Sequence, residues 1–201
     1  IGADIKRESK SGLTPLHWAL KNRAELNIVK YLVENGAEIN RRSKDGLTPL
    51  HWAFCGHSQL EVVMYLVRKG ADIKRESKSG LAPLHWALKN RAELNIVKYL
   101  VENGAEINRR SKDGLTPLHW ALEGGAALNV VKYLVGNGAD IKRKSKSGRT
   151  PLHRALRNRA ESNIVKYLVE NVEYLVENGA AINRESKDGL TPFLIKYEKD
   201  V

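Results

Sequence analysis

Apolar residues along this chain come in paired bursts divided by polar stretches, and the pair recurs every 34 residues. Residues 46–79 show the pattern. Leu50, Ala53 and Phe54 fall at helical spacing, and Leu60, Val62, Val63, Leu66 and Val67 form a second helical stripe. The spacing predicts two short helices. Thr48 is placed to cap the first, with Pro49 at its opening position, where a missing N–H costs nothing. Gly56 is expected to break that helix, and Gly70 to end the second in the left-handed conformation. The polar run ADIKRESKSG follows, with Ile73 as an apolar anchor. It reads as an extended arm that turns and returns to the next Thr-Pro. Neither helix is long enough to be stable alone in water, so each must bury its stripe against a neighbouring unit, as in a stacked solenoid.

The repetition is explicit in the letters. TPLH begins at Thr14, Thr48, Thr116 and Thr150, with the variants APLH at Ala82 and TPFL at Thr191. YLV recurs at Tyr31, Tyr65, Tyr99, Tyr133 and Tyr167, and Gly-Ala closes units at Gly36, Gly70, Gly104, Gly138 and Gly179. Residues 2–53 and 70–121 match position for position, save that Thr14 becomes Ala82. Units therefore alternate in type, with a super-period of 68 residues that points to duplication of a two-unit block. The small residues Ala19, Ala53, Ala87, Ala121 and Ala155 are placed to let first helices pack closely.

The unit DGLTPLHWAL…NIVKYLVENGAEIN resembles the ankyrin repeat: Thr-Pro-Leu-His opening helix one, a Val-Leu-rich helix two, Gly-Ala, then a hairpin. The resemblance implies an all-α ankyrin-repeat solenoid of stacked helix-turn-helix units with β-hairpin loops, forming a single domain over 1–201. Its full units are 12–45, 46–79, 80–113, 114–147 and 148–188, with partial units at 1–11 and 189–201. The 34-residue period exceeds the family's usual 33, and the extra residue is expected in the loop between helices, within Asn22-Arg23-Ala24-Glu25. The fifth unit is seven residues longer, through the stutter YLVEN-VE-YLVENG over 167–179. Val172 stands where a helix-ending Gly belongs, so helix two is expected to run on by almost two turns, with Leu168, Val169, Val172, Leu175 and Val176 on one face. A looped-out insertion is the alternative.

Composition narrows the function classes. Hydrophobic residues make up 42% and charged residues 28% of the 201, which is the balance of a folded chain. No apolar run approaches the roughly 20 residues of a membrane helix. The opening residues carry no secretory signal and begin partway through a unit, so a piece of a longer intracellular, cytoplasmic protein is expected. Cys55 is the single cysteine, which leaves no internal disulfide and no zinc cluster.

The net charge of +11 is not spread evenly. The arms 6–11, 40–45, 74–79, 108–113, 142–147 and 183–188 hold 18 Lys and Arg against 6 Asp and Glu, and the remainder of the chain is nearly balanced. Stacking would align Lys6, Arg7, Arg41, Arg42, Lys74, Arg75, Arg109, Arg110, Lys142 and Arg143 as a basic ladder that attracts anions. The family usually binds proteins through hairpin tips and the inner, concave face of helix one. The matching positions include Lys44, Leu47, Trp52, Lys78, Leu81, Trp86, Lys112, Leu115 and Trp120. In the fifth unit Arg149 replaces Leu and Arg154 replaces Trp, so that face is expected to be wetter and more basic. The bland reading of the same charges is that they solubilise the edge and were multiplied by duplication.

Catalytic chemistry is not signalled. His17, His51, His85, His119 and His153 occur once per unit with no second ligand at short spacing, and the resemblance implies a structural role beside the Thr-Pro turn. His57 lies in an interhelix loop. No phosphate-cradling glycine loop, carboxylate pair or nucleophile with a matching base stands out, and no cofactor or metal is expected. The resemblance also implies possible Asn hydroxylation at Asn40, with Leu32 and Glu38, and at Asn108, with Leu100 and Glu106. Asn183 fits less well, and a turn role for these residues is the simpler one.

The sequence therefore points to a protein-binding scaffold that holds an acidic partner on its hairpin and helix-one face. Nucleic acid or anionic lipid on the basic ladder is the alternative, as is a passive spacer in a longer chain. Single-strand recognition would use exposed aromatics, for which Trp18, Trp52, Trp86 and Trp120 are the candidates, although packing between first helices suits them better. End-to-end stacking of copies through the open N-terminal half-unit is a further expectation.

Overall fold

The computed structural model describes residues 4–57 and 59–177, with side chains as far as residue 172. The described residues are all-α, with no strand. Ten helices alternate short and longer: α1 (Pro15–Lys21), α2 (Leu26–Glu34), α3 (Pro49–Cys55), α4 (Leu60–Arg68), α5 (Pro83–Lys89), α6 (Leu94–Glu102), α7 (Pro117–Gly124), α8 (Leu128–Gly136), α9 (Pro151–Arg157) and α10 (Ser162–Glu177). The chain divides into two compact units, Ile1–Glu106 and Ile107–Val201. In the first, α1 packs on α3 and α3 on α5, while α2 packs on α4 and α4 on α6. In the second, α7 packs on α9 and α8 on α10. Each unit is thus a stack of helical hairpins.

Each first helix begins as the sequence requires. Thr14, Thr48, Thr116 and Thr150 stand as extended N-caps with Pro next in line. Ala53, Ala87, Ala121 and Ala155 are fully buried, where their missing bulk lets neighbouring helices approach. The core on either side is leucine: Leu16, Leu20, Leu50, Leu66, Leu84, Leu88 and Leu100 in the first unit, and Leu118, Leu122, Leu134 and Leu168 in the second. Burying a leucine side chain removes roughly 1.5–3 kcal/mol of unfavourable hydration.

The turn between the helices is a Schellman closure. In the first repeat Arg23 is left-handed, with φ +57, and the Ala24 N–H reaches back to the Ala19 carbonyl at 2.9 Å. Arg91 and Arg159 repeat this geometry, and Gly125 supplies it in the fourth repeat. The residue beyond the customary period therefore sits in an ordered turn. Gly56 ends α3 as expected, standing as its C-cap. It keeps an ordinary right-handed backbone, with φ −84, and the left-handed residue is His57, with φ +53. What requires glycine at 56 is proximity, because a Cβ there would lie 2.0 Å from the Leu20 carbonyl oxygen. Second helices do end on left-handed glycines, at Gly36, Gly70, Gly104 and Gly138.

The arms, expected as β-hairpin loops, are built of turns with no strand among the described residues, each closed by local bonds and joined to the next by single bonds. Ser43 shows the pattern: its N–H donates to the Leu47 carbonyl at 2.9 Å and its hydroxyl accepts from the Leu47 N–H at 3.2 Å. Between arms, the Lys44 N–H donates to the Ser11 carbonyl and the Lys78 N–H to that of Asp45, both at 2.9 Å. In the second unit the Lys146 N–H donates to Asp113 at 2.8 Å.

α10 is 16 residues long where the other second helices have nine. Helix runs uninterrupted through Val172, as the absent glycine predicts. Leu168 is buried and Val169 and Val172 are half-buried. The side chains of Leu175 and Val176, and the expectations placed on Gly179, Asn183, the end of unit 148–188 and the partial unit 189–201, lie outside the described residues.

Candidate partner-binding face

The histidines are joints of the scaffold. His51 Nδ1 accepts the Thr48 backbone N–H at 3.1 Å, with the Thr48 hydroxyl at 2.8 Å, which leaves the proton on Nε2 to donate to the Leu81 carbonyl of the next repeat at 3.0 Å. His119 reaches the Arg149 carbonyl of the next repeat in the same way, and His17 reaches the Arg41 carbonyl in the arm of its own repeat, each at 3.1 Å. Burial pushes the His51 and His119 imidazoles down to about 4, and lowers His17 as well, against the raising effect of these backbone bonds. Neutral imidazoles holding fixed hydrogen bonds in the core are neither ligands nor bases poised for catalysis. Among the described residues no cluster of three or more His, Cys, Asp or Glu is placed to hold a metal. Cys55 is half-buried and its thiol is pushed up by that burial, against the opposing charges of Lys89 and Lys21.

One cleft of about 310 Å³ opens in the first unit between interhelix loops, lined by Arg23, Phe54, His57, Asn90, Arg91 and Ile96 among others. No hydroxyl, thiol or amine lines it among the described residues.

The arms give a different picture of the basic ladder. In four of the described arms one arginine is engaged within the scaffold. Arg41 pairs with Glu8 of the preceding arm and lies 3.7 Å from Glu38. Arg75 binds Asp72 at 3.1 Å, and Arg143 binds Asp140 at 2.9 Å. Arg42 donates to the Glu76 carbonyl of the next arm at 3.1 Å, so it keeps its full charge. Arg109 also has a partner. The Lys6 and Lys74 stems lie 3.8 Å from where a Cβ on Gly36 and Gly104 would stand, at the C-terminal ends of α2 and α6, where a cation is favoured by the helix dipole.

The tip lysines are uncommitted cations. Lys10, Lys44 and Lys78 in the first unit, and Lys112 and Lys146 in the second, are exposed. Among the described residues none of these five ammonium groups has an ion pair. Their backbones are nonetheless anchored by the Ser, Asp and Gly turns around them, so the charge stands on a fixed base.

Behind the tips, three expected contact residues fall out of reach. Leu47, Leu81 and Leu115 are 7%, 5% and 5% exposed. The serine two-bond clasp draws each leucine inward against the core, so none of them can meet a partner. Trp52, Trp86 and Trp120 are half-buried, and the Trp52 and Trp86 indole N–H groups are enclosed without a hydrogen-bond partner. Trp86 meets the edge of His51 at 6.3 Å between centroids. Lys21 lies over both Trp18 and Trp52, at 4.9 and 5.3 Å, and Lys89 lies over Trp86 at 5.1 Å.

The second unit replaces that Lys–Trp contact by an ion pair. Arg154, at the tryptophan position, binds Glu123, at the lysine position one repeat earlier. Burial works against the Glu123 charge, but hydrogen bonds from Arg154 and Asn158 and the charges of Arg154 and Arg157 hold its carboxyl below the usual range. The extra basicity expected at Arg154 is thereby compensated, a pairing across 31 residues that no local pattern signals. Arg149 is half-buried and has a partner.

Asn40 and Asn108 are clamps between arms. The Asn40 amide donates to Gly70 O and accepts from the Asp72 N–H, both at 2.8 Å, and Asn108 repeats both bonds with Gly138 and Asp140.

A family model described as ankyrin repeats, in three copies, matches residues 1–43, 26–111 and 84–186. No curated protein matches the chain. No helix among the described residues is long and apolar enough to cross a membrane.

Proposed function

The chain belongs to the ankyrin-repeat family, whose repeats are generally protein-interaction modules, and on that premise we propose a non-enzymatic scaffold that binds an acidic protein segment. In each unit the contact surface is the arm tips and the exposed part of the first helices: Lys44, Lys78 and Arg42 as cations with Trp52 and Trp86 as apolar flanks in the first, and Lys112 and Arg110 with Trp120 in the second. Arg41, Arg75, Arg109 and Arg143 are already engaged within the scaffold and serve it as struts. The reading sets the protein inside the cell, in the cytoplasm, in keeping with its lone unpaired cysteine.

The observation that carries this reading is the row of uncommitted lysines on anchored backbones. A folded chain usually neutralises or disperses like charges in series, and this one neutralises a neighbouring arginine in the same arms while leaving the tip ammonium groups open. Selection of a random peptide library on the immobilised protein tests it. Enrichment of Asp- and Glu-rich sequences, lost in the triple variant Lys44→Glu, Lys78→Glu, Lys112→Glu, is the expected result. Enrichment indifferent to acidity, or unaffected by the variant, refutes the acidic partner.

A further inference from the structure

The spacing of the tip lysines in the first unit is fixed by hydrogen bonds, and it sets a register. The Lys44 N–H is bonded at 2.9 Å to the carbonyl of Ser11, the residue after Lys10. The Lys78 N–H is bonded at 2.9 Å to the carbonyl of Asp45, the residue after Lys44. Covalent geometry across this bridge keeps successive lysine Cα atoms within about 11 Å. Packed helices stand about 8–10 Å apart, which bounds the spacing from below, since α1, α3 and α5 pack side by side in this unit. Lys10, Lys44 and Lys78 are therefore a row with a pitch close to 10 Å.

An extended peptide advances about 3.3 Å per residue. Three residues match the pitch, two give about 7 Å and four about 13 Å. A mismatch of about 3 Å per step adds up to about 6 Å over the three lysines, so both outer stems must reach aside to follow it and both outer contacts weaken. We infer that Lys10, Lys44 and Lys78 select an extended segment with an acidic residue at every third position, running along the row of arms. The inference rests on the acidic-partner reading above and adds the partner's conformation and register. Exposed Asp45 beside Lys44 weakens the middle contact, and the nearby Arg42 cation offsets it. Ser11 and Ser79 occupy the place of Asp45 in the flanking arms, so no acid follows Lys10 or Lys78 in its own arm, and Asp45, whose carbonyl holds the Lys78 N–H, is the acid that the row shares.

The test uses the whole protein and three fluorescent peptides of equal length, each with three glutamates in a Gly-Ser background, spaced by two, three or four positions. Affinities are measured by anisotropy at low salt, where exposed pairs are least screened. The three-position peptide is expected to bind at least threefold more tightly than either of the others, in line with two surface ion pairs weakened. Its advantage should disappear in Lys44→Gln, whose side chain has no partner in the fold to disturb. Equal binding of all three spacings overturns the register and leaves the acidic-partner reading standing. Binding no stronger than a glutamate-free control overturns both. Displacement of the three-position peptide by a DNA oligonucleotide at lower concentration than by unlabelled peptide also overturns the inference, because a phosphate chain would then be the better occupant.

Discussion

Thr14, Thr48, Thr116 and Thr150 each set a hydroxyl 2.8–2.9 Å from the Nδ1 of the histidine three residues on. Ala82 is the natural deletion of that contact. Its backbone N–H still reaches His85 Nδ1 at 3.1 Å, so the histidine holds its place without the hydroxyl. The site is 7% exposed, and the fold already accommodates threonine at every matching position. Ala82→Thr should therefore stabilise the protein by about 0.5–1 kcal/mol. Equilibrium urea unfolding measures this, and an unchanged or lowered midpoint would contradict the role assigned to the hydroxyl. At this scale the sequence was legible where a residue acts on its near neighbours. The Thr-Pro start and the left-handed Gly36, Gly70, Gly104 and Gly138 follow from spacing alone. Leu47, Leu81 and Leu115 were misread because their burial depends on how the arm folds back, which no residue type encodes.

Among elements, the contact of α1 with α3 is the tightest constraint, and one missing methyl permits it. At Gly56 a Cβ would sit 2.0 Å from Leu20 O and 2.8 Å from Lys21 O, both backbone atoms that cannot swing aside. Gly56→Ala is expected to cost about 1–3 kcal/mol, since two helices must separate to admit it. A thermal melt reads the loss, and an unshifted midpoint would show that the neighbouring backbone yields freely. The sequence marked Gly56 as a helix end, which it is, and packing adds a second demand for glycine that only the close approach of Leu20 O reveals. The extension of α10 was legible, because a helix without a stop signal continues and the evidence is local.

Over the whole molecule the buried imidazoles make stability depend on pH. His51 and His119 have folded values near 4 against 6.5 for an ordinary histidine, so between those values the unfolded chain takes up protons that the folded chain refuses. Their contribution is complete above about pH 6.5, falls as the pH drops towards 4, and is gone below it. Each shift corresponds to roughly 3 kcal/mol. Glu123, held below its usual range, adds a loss in the same direction at lower pH. Chemical unfolding at pH 7.5 and 4.5 should show a clearly smaller unfolding free energy in acid. His51→Gln, which keeps a hydrogen-bonding side chain without titrating, should flatten that difference in part, and an unaltered pH dependence in the variant would remove His51 from the account.

Periodicity alone determined the repeat, its 34-residue length, its alternation in pairs and the ends of its helices, because each depends on residues within a few positions of one another. Tertiary structure decided which charges are spent and which are open. Arg41 finds Glu8 from 33 residues away, and Arg154 finds Glu123 from 31. Counting charges in the arms gave a uniform basic ladder; the fold turns Arg41, Arg75 and Arg143 into struts and leaves the lysine tips open. The physical reason is that an ion pair depends on distance in space: Arg75 and Arg143 find acids three residues away, but stacking brings Arg41 and Arg154 to acids about one period away along the chain.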